Sequence, residues 1–220
     1  FYKYPNPSWQ SPDFLKVPEA DLSKIDIKNV VVAGSGILGF QIAVQCAYFG
    51  YKVTVYDVND EALNKAKNRF DVLAEEYKNY LKADEEKIQN TKNNLTYSTD
   101  LKASLQDADL LIEAVPESID IKKDFWEKAS EHAPEKTIFA SNSSTLLPSR
   151  LSTFTDRPEK FIHLHFANHI MVRNTAEIMG SDQTDPTVYN EIVEFAKSIA
   201  MLPVELKKEK SGYVLDSLLI

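Results

Sequence analysis

The chain has 220 residues, with 25 Lys and Arg against 33 Asp and Glu and a formal net charge of −8. That length is one large domain or one and a half, and the charge argues against a nucleic-acid or anionic-membrane partner recruited by bulk electrostatics, though not against an anionic substrate held locally. Cys46 is the single cysteine, so no intrachain disulfide framework is possible; with no signal peptide and no membrane-long apolar run in view, a reducing, cytoplasmic compartment is expected.

Residues 1–26 carry Pro5, Pro7, Pro12 and Pro18 with Tyr2, Tyr4, Trp9 and Phe14 between them. This reads as an irregular arm docked on the surface of the domain. Asn29 to Ala33 is a short β-branched run of the kind buried in a parallel sheet. Gly34, Gly36 and Gly39 then fit G-x-G-x-x-G at a strand-to-helix junction, with Ile37 and Leu38 opening the helix. The glycines allow a tight turn, a close approach of backbone to a pyrophosphate, and close packing of helix on strand. The helix N-terminus offers free N–H groups to that pyrophosphate. Lys52 to Tyr56 forms the next strand, and Asp57 ends it. A carboxylate there accepts from both adenosine ribose hydroxyls and repels a 2′-phosphate; no Arg follows in VNDEA, so NAD is expected as cofactor. The plainer reading is a structural turn followed by a helix cap at Asp57.

A long amphipathic helix is expected from Asp60 to about Leu81, with Leu63, Ala66, Phe70, Leu73 and Tyr77 inward. A break near Ala83 and a shorter helix ending before Asn94 come next. Leu95 to Ser98, Asp107 to Val115 and Thr137 to Ser141 read as strands, with a helix at Asp120 to His132. Phe161 to Phe166 and Asn174 to Met179 are further strands. A helix from Pro186 to Ala200 and a strand from Leu202 to Leu206 close the series. The alternation calls for a doubly wound parallel sheet, whose ligands bind beyond the C-terminal strand ends. That rule gathers Gly34 to Gly39, Asp57, Val115 to Glu117 and Ser141 to Ser144 around one crevice.

Alternation sends His163 and His165 to one face of their strand. A strand histidine is more often a core residue than a base; His163 is read as structural, the pattern leaves His165 as either, and no metal-ligand spacing involves them. Ser141 to Thr145 by itself would read as a loop with a helix cap. Glu117 by itself would read as a cap as well.

GSGILG with Asp57, EAVPESIDIKKDFW, ASNSSTL, HLHFAN and AEIM, in this order, resemble the 3-hydroxyacyl-CoA dehydrogenase family over Ile27 to Ile220. The resemblance implies a Rossmann-type α/β fold with a mostly parallel sheet and helices on both faces. Residues 27–210 would be the NAD-binding catalytic domain. Residues 211–220 would begin an all-helical C-terminal domain that builds a homodimer. The family's catalytic serine falls on Ser144, its histidine on His165, and the glutamate that orients the histidine on Glu177. Glu117 and Lys122 match contacts to the nicotinamide half of NAD. Asn142 and Ser144 match residues where cofactor and substrate meet, and Asn168 matches a substrate-side asparagine.

The implied reaction is oxidation of a 3-hydroxyacyl-CoA, and its reverse. An imidazole is a suitable base for the hydroxyl proton, a carboxylate behind it fixes its tautomer, and a serine orients the substrate oxygen. Three positions depart from the family. HFANH has Ala167 and His169 where a second aromatic and a proline are usual. Asp216 replaces a substrate-side asparagine. The serine and lysine that contact CoA fall on Leu73 and Tyr80. The alternatives are therefore a dehydrogenase of a free hydroxy acid, carnitine- or gulonate-like, or a catalytically silent NAD-binding protein.

Overall fold

A computed structural model describes residues 17–212. Asp216, the segment 213–220 and the first part of the arm lie outside the described residues. Eight strands form one sheet in the order β3-β2-β1-β4-β5-β6-β7-β8. They are β1 (Asn29–Ala33), β2 (Lys52–Tyr56), β3 (Leu95–Ser98), β4 (Leu110–Glu113), β5 (Ile138–Ser141), β6 (Phe161–Phe166), β7 (Thr175–Met179) and β8 (Leu202–Leu206). Strands β1 to β6 are parallel to one another. β7 runs against β6, and β8 runs parallel to β7.

The helices are α1 (Ile37–Tyr48), α2 (Asp60–Leu81), α3 (Glu85–Asn93), α4 (Leu101–Leu105), α5 (Ile119–His132), α6 (Pro148–Leu151) and α7 (Pro186–Ser198). They cover both faces because the strands are apolar on both faces. Val30, Val32, Val53, Val55 and Ile112 pack into one core with α1, α2 and α7. Val31, Ala33, Leu111, Phe139 and Phe161 pack into a second core around Trp126 of α5. The described end of the arm lies along α7, where the Asp21 amide donates to Glu194 and the Asp26 amide to Glu191, both at 2.8 Å.

Caps set the helix ends. Asn59 accepts from the Ala62 amide and starts α2, while Lys82 in the left-handed conformation ends it. Asp57 is thus not the cap. The strand expected over Asp107 to Val115 is confined to Leu110–Glu113, and α4 precedes it, capped by Asp100. The last long helix ends at Ser198 rather than Ala200, because Ala200 has φ +57 and Met201 N–H donates back to Ala196.

The strand order reverses direction between β1 and β4, the place where a crevice opens in such sheets. The C-terminal ends of β1, β2, β4, β5 and β6 converge there.

Candidate active site

The crevice is built on the glycine turn. A Cβ at Gly39 would lie 2.0 Å from the Gly34 carbonyl oxygen, so only glycine lets α1 sit this close to β1. A Cβ at Gly36 would meet nothing within 4 Å, so the backbone there is bare toward the crevice. No side chain caps α1, which leaves its first amides for a ligand. Asp57 stands beside the turn at the end of β2. The Ser35 amide and hydroxyl donate to its Oδ2 at 2.7 and 2.6 Å, and the Val58 amide donates to Oδ1 at 2.8 Å. Ser35 is a site residue that the motif alone does not flag. Its sole signal is a lone hydroxyl between two glycines.

Two hollows adjoin here. A cleft of about 760 Å3 is lined by Gly34, Asp57, Val58, Val115, Ile121 and Phe125 among others. A smaller one of about 260 Å3 is lined by Gly36 to Gly39, Ala114, Val115, Glu117, Lys122, Asn142 and Ser144. The bare turn, the uncapped helix, the carboxylate at the strand end and the paired hollows fit a dinucleotide.

The wall of the smaller hollow is a polar network. Lys122 Nζ donates to Glu113 Oε1 at 2.5 Å and to the Val115 carbonyl at 3.3 Å, and lies 3.2 Å from Glu117 Oε2. Those three acceptors use all three ammonium protons. Glu113 is fully buried and also accepts from Ser141 Oγ at 2.6 Å and the Val115 amide at 3.0 Å. Burial pushes its carboxyl above the usual range despite Lys122. The Glu117 side chain is 37% exposed; its partial desolvation raises its pKa, but hydrogen bonds from Ser143 Oγ, Thr145 Oγ1 and the Thr145 amide, with Lys122 beside them, bring it down to about 2. From the sequence, Glu113 is no more than part of a buried strand.

The third part of the site is a chain of three side chains. Ser144 Oγ lies 3.1 Å from His165 Nε2, and His165 Nδ1 lies 3.0 Å from Glu177 Oε2. Glu177 is fully buried and His165 nearly so. The register of the antiparallel β6–β7 pair sets His165 directly opposite Glu177. Asn142 holds Ser144's loop against the same strand, since its Oδ1 accepts from the Phe166 amide at 2.8 Å. The chain leaving β8 crosses the loop too. Gly212 N–H donates to the Ser144 carbonyl at 3.2 Å, Ser211 Oγ to the Thr145 carbonyl at 2.8 Å, and the Ser149 amide to Glu209 at 2.6 Å.

His163 is buried, and burial followed by the Lys122 charge lowers its pKa to about 3, so it is a neutral core group. Asn168 is exposed on the loop after β6. His169 has φ +64 and its amide donates to Gln41 Oε1 at 2.8 Å.

The sequence profile described as "3-hydroxyacyl-CoA dehydrogenase, NAD binding domain" matches residues 29–210. The chain belongs to the 3-hydroxyacyl-CoA dehydrogenase family. The matched part is its NAD-binding domain, and NAD is its cofactor.

Among curated members of the family, the human mitochondrial hydroxyacyl-coenzyme A dehydrogenase is 30% identical over 206 residues, covering 91% of this chain and 65% of that one. The 3-hydroxybutyryl-CoA dehydrogenase of Clostridioides difficile is 31% identical over 197 residues, covering 87% and 68%. Among solved structures, a diketoreductase described as acting on dicarbonyl compounds is 55% identical with a TM-score of 0.85, covering 88% of this chain and 69% of that one. The (S)-3-hydroxybutyryl-CoA dehydrogenase of Ralstonia eutropha is 27% identical with a TM-score of 0.83, covering 88% and 68%. The chain thus spans just under two thirds of the length of the human relative.

Of the family positions inferred from sequence, Gly34 to Gly39, Asp57, Val115, Glu117, Lys122, Asn142 and Ser144 line the two hollows. His165 and Glu177 join them through Ser144. Of the two residues that the family resemblance matches to CoA contacts, Leu73 is turned into the core and Tyr80 is partly buried against it. Among the described residues no helix is long and apolar enough to cross a membrane.

Proposed function

We propose that this chain is the cofactor-binding and catalytic part of an NAD-dependent oxidoreductase that interconverts a hydroxyl and a ketone β to a carbonyl. The observation that carries it is the unbroken Ser144–His165–Glu177 chain beside the smaller hollow. In the oxidation direction, His165 Nε2 takes the hydroxyl proton. Glu177 holds the proton on Nδ1, fixes the tautomer and stabilises the imidazolium that forms. Ser144 Oγ orients the substrate oxygen toward His165. In reduction His165 returns the proton. Hydride exchange at the nicotinamide ring is the chemistry that bound NAD supplies.

Asp57 would hold the adenosine ribose, the bare turn at Gly36 the pyrophosphate, and Glu117 with Asn142 the nicotinamide half. Lys122 acts through Glu117, because its protons are already engaged. Asn168 would meet the substrate from the loop after β6. The same reading takes residues 27–210 as one domain and 211–220 as the start of a helical domain through which two copies pair, in the cytoplasm. The greater length of the relatives supports the added domain.

Family membership favours a 3-hydroxyacyl-CoA as substrate. A second reading is a free dicarbonyl compound with no CoA. Two observations favour it: Leu73 is buried where the family's CoA contact falls, and the identity to a diketoreductase is 55%. The test follows NADH absorbance with the full-length protein and, in separate reactions, acetoacetyl-CoA, free acetoacetate and a free 1,3-dicarbonyl ester. Oxidation with acetoacetyl-CoA alone supports the first reading. Oxidation with the free compounds alone supports the second. No response to any ketone would remove the catalytic reading.

A further inference from the structure

The large cleft holds a cation that the family pattern does not account for. Arg69 lies on α2 and lines the cleft with Asp57 and the glycine turn. Its Nη2 donates to the Ser35 carbonyl at 3.3 Å and its Nε to the Lys65 carbonyl at 3.1 Å. The first bond fixes the guanidinium one residue from Gly36, whose backbone is bare toward the crevice. Nη1 is buried and has no hydrogen-bond partner among the described residues.

Other charges around the cleft are already matched. Lys65 pairs with Glu61 at 2.6 Å and Lys128 with Asp124 at 2.8 Å. Asp57 is held by Ser35 and Val58. Arg69 has no carboxylate partner among the described residues. Nη2 keeps a second N–H beyond its bond to Ser35, and an arginine with a spare N–H beside an uncapped helix start is suited to an anion; its planar fork suits phosphate oxygens.

We infer that Arg69 binds the pyrophosphate of the coenzyme and supplements the α1 N-terminus with a full positive charge. The inference rests on a dinucleotide occupying the cleft. A 2′-phosphate is the competing anion, and the Asp57 carboxylate at the ribose end repels it.

The experiment is equilibrium binding to the full-length protein, titrating NADH, ADP-ribose, adenosine and NADPH into the parent, Arg69→Gln and Arg69→Lys. Gln is a good helix former and Arg69 is partly exposed on α2, so the fold survives; circular dichroism checks it. For Arg69→Gln the dissociation constants of NADH and ADP-ribose should rise about tenfold, or about 1.4 kcal/mol. Adenosine binding should not change. Arg69→Lys should recover part of the loss, and salt at about 0.5 M should shrink the gap.

ADP-ribose binding within twofold of the parent would overturn the inference. So would an equal loss for adenosine, which would make Arg69 a nucleoside contact, or a loss confined to NADPH, which would make it a 2′-phosphate contact. A parent that binds neither NADH nor ADP-ribose would overturn the dinucleotide reading itself.

Discussion

His165 and Glu177 are direct cross-strand partners on β6 and β7, and their side chains meet at 3.0 Å inside the sheet. The carboxylate is fully buried, so the imidazole it orients has little freedom to turn. His165→Gln should lower kcat by about 10²–10⁴-fold, the range of a lost general base. The dissociation constant of NADH should stay within about twofold. Glu177→Gln should also lower kcat steeply, because an amide can no longer stabilise the imidazolium. Steady-state kinetics beside NADH titration separates the two effects, and turnover within a few-fold of the parent would remove either residue from its role.

Gly36 and Gly39 should respond differently to the same methyl group. Alanine at Gly39 would press its Cβ against the Gly34 carbonyl. That overpacking should cost about 1–3 kcal/mol, read as a lower denaturant midpoint. Alanine at Gly36 meets open space. It should leave the midpoint unchanged and weaken NADH binding roughly tenfold, because the methyl stands where a pyrophosphate approaches. Equal losses of stability in both variants would show that the turn at Gly36 is packed rather than bare.

Two groups give acid sensitivity in separate windows. His163 stays neutral down to a pKa of about 3 in the fold, against 6.5 unperturbed. Between those values the unfolded chain binds a proton that the native chain does not, so stability falls as pH falls. Glu117 titrates near 2 in the fold against 4.5 unperturbed. Its contribution is complete above 4.5 and is lost as pH drops toward 2. Thermal unfolding across pH should therefore show His163→Leu flattening the slope below 6.5. Glu117→Gln should flatten it only below 4.5. Identical profiles for parent and variants would refute both assignments.

Cys46 is fully buried on α1, and burial raises its thiol to about 12. The thiolate is the reactive form. A disulfide reagent at pH 8 should leave the native protein untouched and titrate one thiol only after denaturant is added. Rapid stoichiometric reaction without denaturant would mean that α1 opens far more readily than its packing implies.

Much of this site is legible in the sequence because it is written in local pattern. The glycine turn, Asp57 and the strands through β6 each depend on a few neighbouring residues, and the structure keeps them nearly unchanged apart from β4, which shrinks to Leu110–Glu113. α4 escapes detection because a helix of five residues has no period to detect. The orientation of β7 is not legible either. Residues 174–179 read as a strand, but its direction depends on the loop over 167–174, and that direction is what brings Glu177 to His165. Glu113 and Lys122 are nine positions apart on a strand and a helix. Their contact is tertiary and leaves no mark in local pattern. Ser35 is a single polar residue whose partner lies across the turn.

The crossing of residues 209–212 over the serine loop has a mechanical consequence. Gly212 and Ser211 grip the backbone of Ser144 and Thr145, while the Ser144 side chain meets His165. The heading of the chain as it departs and the placement of that hydroxyl are therefore linked through two hydrogen bonds. A change in the path of residues 211–212 would act first on the backbone that carries Ser144.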